Sequence, residues 1–167
     1  MNTPLVQGPA AELWREVLRE SEARTGEQLD EDREAYLVFA LLRHCQDTAL
    51  LRRIMALEYF DAFEASGMQR IDALRDVGDR CLLLSGLFPR LAERRRVSLR
   101  YYIDIGQGAY AAVGELARRI YGDLFAQLAE GFESMVRVLA GVRPGVLQLP
   151  APIEPAFHLL DSRMVRH

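Results

Sequence analysis

Lysine is missing from this chain: all twenty-one basic residues are arginine. Schiff-base and other lysine chemistry is thereby excluded. Cysteine is scarce, with Cys45 and Cys81 both inside apolar helical stretches, where a thiol packs as a small hydrophobe. No disulfide framework is expected. Long apolar runs are absent too. The longest, Ala35 to Leu42, falls far short of the ~18 to 20 residues of a membrane span, and MNTPLVQGPAAELWRE has no basic region followed by an apolar one. A cytoplasmic protein is expected. Excess positive charge is lacking as well: the net charge of -3 argues against nucleic-acid binding, which needs a concentrated basic surface. None of the few serines stands in a Gly-x-Ser-x-Gly turn, and the Glu-x-x-His pairs of a bundle di-metal site do not occur. No catalytic centre, cofactor or metal is therefore expected.

What is present is helical periodicity. Half of the 167 residues are hydrophobic, enough for one core without a metal or disulfide staple. The spacing predicts a single all-α domain, a mostly antiparallel bundle of five to six helices over residues 1–143, with a proline-containing C-terminal extension at 144–167 packed on the bundle or a neighbouring subunit. Pro9 and Gly26 bracket helix one, with Leu13, Trp14, Val17 and Leu18 as its stripe. Asp30 caps helix two, which ends near Gln46. Its AYLVFALL run is apolar nearly all round, so it is read as the central element. Helix three covers about 48–66. In helix four, Ile71, Leu74, Val77, Cys81, Leu84 and Phe88 form a stripe that Pro89 stops. Gly78 and Gly86 within it mark tight crossings. Ser98 caps helix five, whose buried row is Leu99, Ile103, Gly106, Tyr110, Val113 and Ala117. A bend at Tyr121 to Asp123 leads into helix six, with Phe125, Leu128, Phe132, Met135 and Leu139, ended by Gly141 and Pro144.

Four features invite a functional reading. Asp72, Asp76 and Asp79 share a face of helix four, where a divalent cation would find carboxylates. Interleaved Arg70, Arg75 and Arg80 make an exposed, salt-bridged face the better reading. His44 stands beside Cys45 and near Asp47, yet adjacent helical positions point about 100 degrees apart, so no nucleophile or metal site is expected there. Gly106-Gln107-Gly108 follows no strand, which removes the phosphate-loop reading in favour of helix packing. The strongest feature is the basic connection PRLAERRRVSLRYY: Arg90, Arg94, Arg95, Arg96 and Arg100, followed by Tyr101, offer guanidinium forks and an aromatic ring to an acidic partner. The competing reading has these arginines neutralising acids such as Glu58, Asp61 and Glu64 or the helix-four aspartates.

The block LRDVGDRCLLLSGLFP (Leu74 to Pro89) through RRRVSLRYYIDIGQGAY (Arg94 to Tyr110) resembles uncharacterised proteobacterial all-helical proteins. The resemblance implies an all-helical bacterial domain and carries no activity, ligand or catalytic residue with it. The expectation is a non-enzymatic helical interaction or regulatory module, homodimeric, with a protein partner at the arginine-tyrosine connection and no membrane partner. The alternative is a bundle binding an apolar small molecule in a pocket lined by Phe39, Tyr102, Tyr110, Phe125 and Phe132.

Overall fold

The computed structural model describes residues 8–44, 62, 64–94, 98–119 and 121–143. Within them helix follows helix: α1 (Pro9–Thr25), α2 (Glu31–His44), α3 (Gly67–Leu87), α4 (Pro89–Arg94), α5 (Leu99–Leu116), α6 (Gly122–Glu130) and α7 (Phe132–Ala140). The architecture is an all-α bundle, as the periodicity requires. The expected helix at 48–66 lies outside the described residues except at its end, where Ala62 and Glu64 are helical, and the extension at 144–167 lies outside them as well.

The helix ends follow local chemistry. Pro9 occupies the first turn of α1, where its missing N–H has no intrahelical partner to lose. Gly26 closes the helix at φ 78°, donating its N–H to the Glu22 carbonyl at 3.0 Å. Asp30 caps α2: its carboxylate accepts from the Arg33 amide at 2.8 Å and pairs with the Arg33 guanidinium at 2.7 Å. The Ser98 hydroxyl caps α5 by accepting from the Tyr101 amide at 3.2 Å. Pro89 ends α3 as expected, but it also begins α4. Residues 89–94 are thus helical and not an irregular connection, because proline's fixed φ suits a first helical turn as well as it excludes continuation of the helix before it.

The centre of the bundle is α3, not α2. Every residue from Val77 to Gly86 is buried, whereas Ala35, Phe39 and Leu42 of α2 are only partly covered. Helix α3 lies along α5 and α7 and also touches α2. Two glycines permit that approach. A Cβ on Gly78 would stand 2.4 Å from Cε1 of Tyr110, and one on Gly86 2.4 Å from Cβ of Leu139. Both expected crossings are therefore real. Gly106 of α5 does the same for Phe132 of α7, whose Cζ would meet its Cβ at 2.4 Å.

The single helix expected over 125–139 is two, α6 and α7, parted at Gly131, although all five of its predicted core residues are buried. Carbonyls near the break find partners on other helices. Arg33 Nε of α2 donates to the Gln127 carbonyl at 2.9 Å, and Gln107 Nε2 of α5 donates to that of Ala129 at 2.8 Å. A Cβ at Gly131 would collide with the Arg33 side chain, its Nε only 2.3 Å away. The break is a tertiary arrangement and leaves no mark on the apolar period.

Candidate functional site

The arginine-tyrosine connection divides between α4 and α5. Arg90 is exposed in the first turn of α4, Arg94 is that helix's last residue, and Arg95 and Arg96 lie outside the described residues. Arg100 and Tyr101 stand in the first turn of α5, with the Arg100 side chain 57 % exposed and Tyr101 38 % exposed. Arg100 pairs with Glu133 of α7 and, at 3.6 Å, with Asp104. Neither is an α3 aspartate, and of the expected Glu58, Asp61 and Glu64 row the first two lie outside the described residues. Tyr101 meets the buried Tyr102 edge to face at 5.6 Å.

The five aromatic residues expected to line a ligand pocket are packed among themselves and their neighbours. Tyr110 touches Phe125 and Phe132, each with ring centroids 5.6 Å away. Phe39 joins the group through Tyr36, at 5.8 Å. Tyr102, Tyr110, Phe125 and Phe132 are all buried.

A polar cluster lies beside these rings, and the sequence reading missed it. Asp79 is 0 % exposed, which corrects its expected place on a solvated face of α3. Asp72 does belong to that face, pairing with Arg75 at 3.7 Å, but Arg80 is buried with Asp79. The hydroxyls of Tyr36 from α2 and Tyr110 from α5 both donate to Asp79 Oδ1, each at 2.6 Å. His44, the last residue of α2, brings Nε2 to within 3.1 Å of Asp79 Oδ2. With a carboxylate as acceptor, that nitrogen is the one bearing hydrogen. The same nitrogen lies 3.7 Å from Asp76 Oδ1, and Asp76 Oδ2 pairs with Arg80 at 2.8 Å. Acid and base alternate from the half-buried Asp76 to the enclosed Asp79.

The cluster is built by position. Gly78 leaves room for the Tyr110 ring against α3, which carries its hydroxyl to the neighbouring Asp79. Burial first, and then the Asp79 charge, push both phenols well above their ordinary range. They stay protonated and serve as donors. Each ring packs on Phe125, at 5.4 Å for Tyr36 and 5.6 Å for Tyr110, so their orientations are held by contact as well as by hydrogen bonds. The arrangement can orient an imidazole and two hydroxyls around one buried charge. Among the described residues, no group of three or more His, Cys, Asp or Glu side chains is arranged to hold a metal ion, and no helix is long and apolar enough to cross a membrane.

One sequence signal could have located Asp79. Leu82 and Leu83 follow it at i+3 and i+4, so its own face of α3 continues as pure hydrocarbon. Tyr110 gave the complementary signal: a phenol on a strictly apolar row needs a buried partner for its hydroxyl.

The fold and the cluster together define a helical bundle with a polar centre. Comparison of the chain with protein-family models, curated proteins and solved structures finds no match.

Proposed function

We propose that the protein is a non-enzymatic helical interaction module, and that the arginine-tyrosine connection from α4 into α5 receives an acidic protein partner. Exposed Tyr101, flanked by Arg100 in the first turn of α5, carries this reading. Tyrosine and arginine dominate the energetics of protein interfaces, because each offers a broad apolar or planar surface together with directed hydrogen bonds. Arg90, Arg94, Arg95 and Arg96 extend the positive charge along the chain leading to that turn. Arg100 already holds Glu133, so a partner carboxylate would share or replace that contact. The homodimer expected from sequence loses one support here, since Gly78, Gly86 and Gly106 serve crossings within the subunit. It rests on the apolar extension alone.

The test is charge reversal of Arg94, Arg95 and Arg96 to glutamate in the full chain. Native mass spectrometry of the protein purified from its host should show a protein complex for the wild type and its loss for the variant, with melting temperature nearly unchanged. An unfolded variant would make these arginines structural, and a complex that survives the reversal would remove the connection from the interface.

A further inference from the structure

We infer that Asp79 is a shared latch: one buried carboxylate through which α2 and α5 close on α3 as a coupled event. Its donors come from two other helices. Tyr36 of α2 and Tyr110 of α5 converge on the same oxygen, Oδ1, at 2.6 Å each, while His44 of α2 takes Oδ2 at 3.1 Å. If α2 withdraws, Asp79 loses both of that helix's donors and keeps Tyr110. If α5 withdraws, Oδ1 keeps Tyr36 alone. In either case the half-served carboxylate is left in an apolar setting or must draw in water, so each helix holds better when the other is in place.

The latch also sets register. Tyr36 and His44 stand eight positions apart on α2 and engage different oxygens of one carboxylate. Sliding α2 by one turn displaces both by about 5.4 Å, far beyond hydrogen-bond reach. An apolar contact would tolerate such a slip far better, because dispersion and hydrophobic burial are non-directional. On α5 the Tyr110 ring is seated against Gly78, and that helix has no freedom to follow. The device therefore gives α2 two states, docked with its donors on Asp79 or released from it, in place of a continuum of slipped packings.

A double-mutant cycle tests this. Tyr36→Phe and Tyr110→Phe keep the rings and remove only the hydroxyls, and unfolding in urea is measured for the full chain, both singles and the double. The double should lower the folding equilibrium constant by at least roughly fivefold less than the product of the two singles, since each hydroxyl is worth most while the other completes the pair on Oδ1 and little of the latch is left to lose after the first. The same cycle in an Asp79→Leu chain should multiply simply. Effects that multiply to within about twofold in the wild-type chain would overturn the latch. So would a coupling that persists unchanged without Asp79, which would place it in a direct interaction between the two phenol hydroxyls. If Asp79→Leu does not fold, the cycle in the wild-type chain decides alone.

Discussion

Asp79 shows how much a single residue's surroundings govern its chemistry. Replacing it with alanine removes the acceptor for two hydroxyls and an imidazole at once, and stranded buried donors are expensive. We expect a loss of about 3–5 kcal/mol, read from urea unfolding. Asp79→Asn should cost less, because its carbonyl oxygen can still accept both tyrosines. Equal losses for the two variants would show that charge matters here more than acceptor geometry. Alkali probes the same residues. Tyr36 and Tyr110 have folded-state pKa values raised well above normal, whereas the unfolded phenols ionise near about 10. Below that pH neither state ionises and their contribution is intact. Above it only the unfolded chain releases protons, so stability falls by about 2.7 kcal/mol per pH unit for the pair. Phenolate absorbance should therefore show at least two of the six tyrosines ionising only as the helix signal collapses. Complete ionisation of all six before unfolding would contradict the buried arrangement.

At the scale of helices, the glycines decide which surfaces meet. Alanine normally stabilises a helix interior relative to glycine by up to about 1 kcal/mol. At Gly106 the sign should reverse: the added methyl would stand 2.4 Å from Phe132 Cζ and 2.8 Å from Cys81 Cβ, and the latter is tied directly to the α3 backbone. Overpacking of that kind costs about 1–3 kcal/mol, and Gly106→Ala should lower the urea midpoint. A raised midpoint would mean that α5 and α3 are less closely seated. The Ser98 cap offers a milder check, with Ser98→Ala expected to cost about 1 kcal/mol. Most helix limits were legible in the sequence because caps, prolines and a left-handed glycine act locally, as at Pro9, Gly26, Asp30 and Ser98. The break at Gly131 was not, because its carbonyl partners, Arg33 and Gln107, come from other helices, 94 and 22 positions away in sequence. The identity of the central helix was misread for a related reason. AYLVFALL is the more apolar run, but glycine lets neighbours approach α3 more closely than the bulky side chains of α2 allow.

At the scale of the molecule, the buried hydrophobic side chains among the described residues form one continuous core from Trp14 and Leu18 in α1 to Leu139 in α7. The carboxyl end of α1 is also fastened to α7: the Ser21 hydroxyl donates to the Val138 carbonyl, and Glu27 accepts from Ser134 at 2.8 Å and pairs with Arg137. Trp14, the single tryptophan, is buried in that core. Its fluorescence and the far-ultraviolet helix signal should trace the same urea transition, and an earlier fluorescence change would show that α1 separates as an independent unit. The sequence by itself determined the helical class, the caps and the apolar faces, since each follows from the chemistry of residues within a few positions of one another. It also placed the exposed Arg100 and Tyr101 at the start of a helix. Tertiary structure alone decided that Tyr36, His44 and Tyr110 meet on Asp79, and that Arg100 finds Glu133. Those pairings depend on which helix faces lie opposite, and the period of a helix shows that a face is apolar without showing what will cover it.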